Sequence, residues 1–218
     1  MKTLSALLAT SLLLTAPHRA SLAAEPGEGA KPAGPVVTVP TFGNATCPIM
    51  GKPTLREKFA DTDFGRIYVC CPPCIKKILL DPEKAYKTAY PTTKKVGNTV
   101  CPVTGETLGP NAVTVLLQGY EVGVCGPECV KRAQANAQIV LTKVLDTAVV
   151  DIGNRTCPIT GQAVADNAFC LIDKDLVHLS SPKAVEDVKK DPEKARQAAK
   201  DIAAKQGSAG SPPPQTPK

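Results

Sequence analysis

One short phrase is written three times in this chain, and it limits the possible folds more than any other feature. Gly43-Asn44-Ala45-Thr46-Cys47-Pro48-Ile49-Met50-Gly51 returns as Gly97-Asn98-Thr99-Val100-Cys101-Pro102-Val103-Thr104-Gly105, and again as Gly153-Asn154-Arg155-Thr156-Cys157-Pro158-Ile159-Thr160-Gly161. Copies that recur about every 55 residues mark tandem repeats of one small supersecondary unit. Units below roughly 60–70 residues bury little core and commonly need a disulfide, a metal or a neighbour to hold them. With no Trp and only 4% aromatic residues that need is sharper, and nine cysteines are available to meet it.

The ends of the chain read differently from its middle. Residues 1–24 are expected to be a secretory signal: Lys2 starts it, Leu4 to Thr15 is apolar but too short to span a bilayer, and Ser21-Leu22-Ala23-Ala24 offers small residues for cleavage. No later apolar run is long enough for a membrane helix, so the mature protein is expected to be soluble, and periplasmic or secreted. Removing the signal takes away Lys2 and Arg19 and no acidic residue, so the formal charge falls from +6 to +4. Residues 25–40, rich in Glu, Pro, Gly and Ala, read as a disordered linker. Residues 206–218, with Ser211-Pro212-Pro213-Pro214-Gln215, read as a disordered tail. Between them lie the repeats, at 41–93, 94–150 and 151–205.

Charge and histidine content argue against two function classes. The excess positive charge is mild and interspersed with acidic residues, which is a solvated surface and no footprint for nucleic acid. Of two histidines, His18 lies in the signal and only His178 remains, and no nucleophile is paired with a base. The chain is therefore not read as an enzyme and no catalytic residue is assigned.

The second repeat shows its fold most clearly. Val113, Val115 and Leu117 alternate with other residues, Gln118-Gly119 makes a turn, and Tyr120, Val122 and Val124 alternate again. This pattern predicts a two-residue hairpin that pairs Leu117 with Tyr120, Val115 with Val122 and Val113 with Val124. Pro127 suits a first helical position, and Val130, Ala133, Ala137 and Val140 form an apolar stripe to cover the sheet. Asp81-Pro82-Glu83-Lys84 and Asp191-Pro192-Glu193-Lys194 look like N-caps of an additional helix in the first and third repeats. Fold class is α+β: three tandem units of cysteine-bearing turn, hairpin and helix.

Two of the repeats carry the same cysteine spacing, Cys47-x22-Cys70-x3-Cys74 and Cys101-x23-Cys125-x3-Cys129. A turn cysteine brought beside a strand-end cysteine, with another in the first helical turn, would converge three sulfurs. A helix N-terminus favours thiolate over thiol through its free N–H groups and partial positive charge. Three thiolates suit Cu(I) or Zn²⁺ far better than Mg²⁺ or Ca²⁺. Met50 lies three residues after Cys47, where its thioether can serve as a further ligand and tilt that site toward Cu(I), or fill a gap in the core. Thr104 and Thr160 hold the same place in the other repeats.

This spacing resembles the TRASH domain, and Asn-x-x-Cys-Pro-Val/Ile-x-Gly resembles the related YHS family. The resemblance covers all three repeats. It implies small treble-clef-like modules, tied to heavy-metal sensing, trafficking or resistance, with ligand roles at Cys47, Cys70 and Cys74 and at Cys101, Cys125 and Cys129. A metal-exporting or metal-receiving protein is the partner such a role implies.

The third repeat departs from the pattern, with Ser180-Ser181-Pro182-Lys183-Ala184 in place of the second and third cysteines. Cys157 remains, and Cys170 and His178 are additions. If Phe169, Leu171, Val177 and Leu179 share a buried face, Cys170 lies opposite His178; a two-residue turn at Asp173-Lys174 puts them on opposite faces instead. The hairpin is read as structural, with a rewired metal site as the alternative. Other function classes also have a claim. Cys71-Pro72-Pro73-Cys74 at a helix start is a thiol–disulfide redox pattern, but Gly126 stands in Cys71's place in the second repeat, so Cys71→Ser is expected to spare metal binding. The cysteines can also be disulfides in an exported protein, a role that three per site fits poorly. Lastly, structural zinc in an interaction scaffold remains open.

Overall fold

The structure, a computed structural model, describes residues 34–207; the signal, residues 25–33 of the linker and residues 208–218 of the tail lie outside the described residues. In chain order the elements are β1 (Val37–Thr38), then β2 (Leu55–Thr62), β3 (Gly65–Val69), α1 (Pro72–Leu80) and α2 (Pro82–Ala89) in the first repeat. The second repeat has β4 (Lys94–Lys95), β5 (Val113–Leu117), β6 (Tyr120–Val124), α3 (Pro127–Ala135) and α4 (Ala137–Leu145). The third has β7 (Val150–Asp151), β8 (Phe169–Ile172), β9 (Asp175–His178), a 3-10 turn at Pro182–Ala184, α5 (Val185–Lys190) and α6 (Pro192–Gly207). Among the described residues this is a mixed α+β fold with six α-helices and three small sheets, ordered β2-β3, β4-β6-β5 and β1-β8-β9-β7.

The second hairpin forms in the predicted register, with Leu117 opposite Tyr120, Val115 opposite Val122 and Val113 opposite Val124. Gln118 (φ 48°) and Gly119 (φ 84°) are both left-handed, the twist a two-residue hairpin turn needs. Val115, Leu117, Val122 and Val124 are buried against Ala133, Ala137, Val140 and Leu141. Both predicted caps form as well: Asp81 accepts from the Lys84 N–H and Asp191 from the Lys194 N–H, each at 3.1 Å.

Two expectations need correction, and one open alternative is decided. First, the apolar stripe of the second repeat does not belong to one helix. Asn136 (φ −116°, ψ 36°) ends α3, and α4 begins at the next residue. The free Gln138 N–H at the start of α4 is satisfied by Asn167 Oδ1 of the third repeat at 2.8 Å, while the Asn167 N–H returns a bond to Asn136 Oδ1. The cap is supplied from another repeat.

Second, the linker expected to be disordered contributes a strand at its end. Val37 pairs with Ile172 and Thr38 with Leu171, and Val36 exchanges hydrogen bonds with Asp173. The β-branched run Val36-Val37-Thr38-Val39 suits an extended conformation, and β8 offers an edge to receive it.

Third, the third hairpin turns at Asp173-Lys174, so Cys170 faces Val177 and His178 faces Phe169. Cys170 and His178 therefore lie on opposite faces. No single face is the buried one: Cys170, Ile172 and Val177 pack on Val185, Val188 and Ala199, whereas Phe169, Leu171 and Leu176 pack on Ile139 of α4. A strand covered on both sides reads as a continuous apolar run, and alternation cannot set its register. Packing between the repeats also has a polar centre. Gln138 Oε1 accepts from the Phe42 N–H at 2.7 Å, and its Nε2 donates to Phe42 O and to Tyr68 Oη.

Candidate metal centre

Each site begins as a tight turn. The Cys47 N–H donates to Lys52 O and the Gly51 N–H to Cys47 O, both at 2.8 Å; Cys101, Glu106 and Gly105 repeat the pattern at the same distances. Gly51 (φ 66°) and Gly105 (φ 80°) close these turns in the left-handed region, where a side chain would be strained. The turn is then fastened to the sheet by the asparagine three residues before the cysteine. Asn98 Oδ1 accepts from the Gly123 N–H at 2.9 Å, and its Nδ2 donates to Gly123 O and Val100 O at 2.8 Å. Asn44 makes the same three bonds, to Tyr68 and Thr46. Each clamp holds the turn cysteine against the strand residue two places before the next cysteine.

The third sulfur comes from a helix start. Pro72 and Pro127 open α1 and α3, and the Cys74 and Cys129 N–H groups fold back on Cys71 O and Gly126 O. As a result Cys47, Cys70 and Cys74 gather into one cluster and Cys101, Cys125 and Cys129 into another, with all ligand atoms of each within 4.8 Å of one another. Cys125 Sγ lies 3.2 Å from Cys129 Sγ. Both clusters can hold a metal ion, in the donor set that soft ions prefer.

Within each cluster the turn cysteine is the anionic one. Burial pushes the Cys101 thiol up, but it is outweighed by hydrogen bonds from the Thr104 hydroxyl and the Thr104, Cys125 and Val103 amides, which bring it down to about 6. At Cys47 burial likewise opposes the shift, and amide N–H groups of Cys70, Ile49 and Met50 lower it to about 7. Their partners move the other way. Burial and the neighbouring sulfurs raise Cys129 to about 12 and push Cys74 up strongly. In each cluster the turn cysteine and the helix cysteine are thus shifted in opposite directions.

Met50 is 51% exposed, so it does not fill the core; its backbone amide faces Cys47. The third repeat keeps the turn and the clamp, with Asn154 bound to His178 and Thr156. Here Thr160 Oγ1 and Ser180 Oγ, 2.9 Å apart, hydrogen-bond the Cys157 sulfur, and Ala184 stands in place of Cys129. Among the described residues no metal-sized group of ligands forms around Cys157. Cys170 is buried in the core, and His178 Nε2 meets Asp151 Oδ1 at 2.8 Å, whose other oxygen meets Lys143 of α4.

No protein-family model, curated protein or solved structure matches the chain.

The clamping role of the asparagines was missed in the sequence, although all three copies carry one three residues before the cysteine. Asn98→Ala is expected to cost about 1–3 kcal/mol, since it leaves the Gly123 N–H and C=O without their partner. It should also loosen the second cluster selectively. Chemical denaturation together with metal retention at each site measures both effects.

Proton release gives a second test. Loading the second cluster at pH 7.5 should free the proton of Cys129 and none from Cys101, because Cys101 (about 6) is already ionised and Cys129 (about 12) is not. As pH falls through about 6, Cys101 takes up a proton, and the decline of affinity should steepen by one more proton per ion. Metal titration in weakly buffered indicator at pH 5.5 and 7.5 reads the difference.

Proposed function

We propose that this protein is an exported heavy-metal-binding protein that holds about two soft ions, Cu(I) or Zn²⁺, in thiolate triads and sequesters or delivers them. On this reading the repeats are tandem treble-clef-like modules of the TRASH and YHS kind, the third having lost its ligands. The observation that carries it is the convergence of Cys47 with Cys70 and Cys74, and of Cys101 with Cys125 and Cys129, from turn, strand end and helix start. The lowered turn cysteine of each cluster adds support. Delivery implies a metal-exporting or metal-receiving protein as partner.

Elemental analysis of protein purified without oxygen, paired with a thiol titration, tests the proposal. About two ions per chain with the triad thiols masked is the expected result; metal-free protein that takes up no added copper or zinc overturns it. One observation favours a thiol–disulfide role: Cys71 Sγ lies 3.3 Å from Cys74 Sγ, and hydrogen bonds from Cys74 lower the Cys71 thiol. Reductase and isomerase assays of the metal-free chain decide between the two readings.

A further inference from the structure

We propose that Cys71 is a fourth sulfur ligand of the first site, so that the two sites differ in kind: a four-thiolate site suited to tetrahedral Zn²⁺, and a three-thiolate site with an open position. This inference rests on the metal-binding reading of the clusters and extends it. Cys71 occupies the N-cap of α1 with extended backbone angles, φ −156° and ψ 156°. From there its sulfur lies 3.3 Å from Cys74 Sγ, with hydrogen bonds from the Cys74 side chain and amide and from the Cys70 side chain. Four sulfurs around zinc at about 2.3 Å stand about 3.8 Å from one another. The Cys71–Cys74 separation therefore has to open by only a fraction of an ångström, while Cys71 closes on the other two sulfurs, which with Cys74 form the tight group without it.

The second cluster has nothing equivalent. Gly126 fills the N-cap of α3 and brings no ligand, and the polar group beside the sulfurs is the Thr104 hydroxyl, 3.6 Å from Cys125 Sγ. In the first repeat the residue at Thr104's position is the half-exposed Met50, so the fourth donor comes from the helix side instead. Spacing alone leaves Cys71 outside the ligand set, because the two repeats share only Cys-x-x-x-Cys. The contact with Cys74 puts it back. Binding exchanges S–H bonds for S–Zn bonds and releases the protons; no oxidant or reductant is involved.

The test uses the full chain, reduced, free of oxygen and loaded with zinc alone. Alkylation with N-ethylmaleimide followed by peptide mass spectrometry should find Cys71 protected along with Cys47, Cys70 and Cys74, and protection should vanish when zinc is chelated. Protection of the other three while Cys71 reacts equally with and without zinc overturns the proposal and leaves the metal reading standing. If none of the four is protected, the metal reading itself falls. Protection of Cys71 that needs a reductant to remove, and not a chelator, shows a Cys71–Cys74 disulfide and also overturns it. As a second readout, Cys71→Ser should weaken zinc retention at the first site about a hundredfold against a competing chelator, with the second site unchanged. Unaltered retention at the first site counts against the fourth ligand.

Discussion

Cys101→Ser is expected to halve the metal content of the loaded chain, from about two ions to one, with the surviving ion at the first site. Serine keeps the size of the side chain but its hydroxyl stays protonated at neutral pH, so the anion held by the Thr104, Cys125 and Val103 amides disappears. What remains is a pair of sulfurs 3.2 Å apart, too few to retain a soft ion against competing thiols. The mirror variant, Cys47→Ser, should empty the first site and spare the second. Elemental analysis of each variant beside the wild-type chain reads the outcome directly. Unchanged stoichiometry in both would show that the turn cysteines are not ligands.

Phe169→Ala should have the largest effect on stability. Phe169 is fully buried where the third hairpin meets Ile139 of α4, and truncating a buried phenylalanine costs about 3–5 kcal/mol through lost transfer energy and the cavity left behind. For a chain of this size that is a fall in Tm of about 10 °C. Metal content should stay at about two ions, because the third hairpin holds no triad. Calorimetry of the zinc-loaded protein separates the two effects. A change below about 1 kcal/mol would mean that the third repeat does not draw its stability from α4.

How much could be read in advance depended on whether the deciding contact was local. The hairpin of β5 and β6 was legible because one face is buried and Gln118-Gly119 provides the turn. Asp81 and Asp191 were legible because each caps the helix that it precedes. The cysteine clusters could be read because the same spacing occurs twice and each sulfur lies at the end of a recognisable element. Asn136 was not, since Asn167, in a different repeat, satisfies the helix start beside it. The register of β8 stayed undecided because apolar residues face both ways, and only the packing of α4 against it gives both faces a partner. Cys71 is an intermediate case. The sequence shows a Cys-x-x-Cys, but only the fold shows its sulfur 3.3 Å from Cys74 Sγ.

The short strand β1 covers a flank that the rest of the sheet leaves unguarded. In the order β1-β8-β9-β7, losing residues 34–40 would uncover the outer edge of β8 at Leu171 and Ile172, beside Asp173. Such a boundary templates pairing with a second molecule. Proteolysis just before Thr41 should therefore promote self-association of the chain while leaving both cysteine clusters whole.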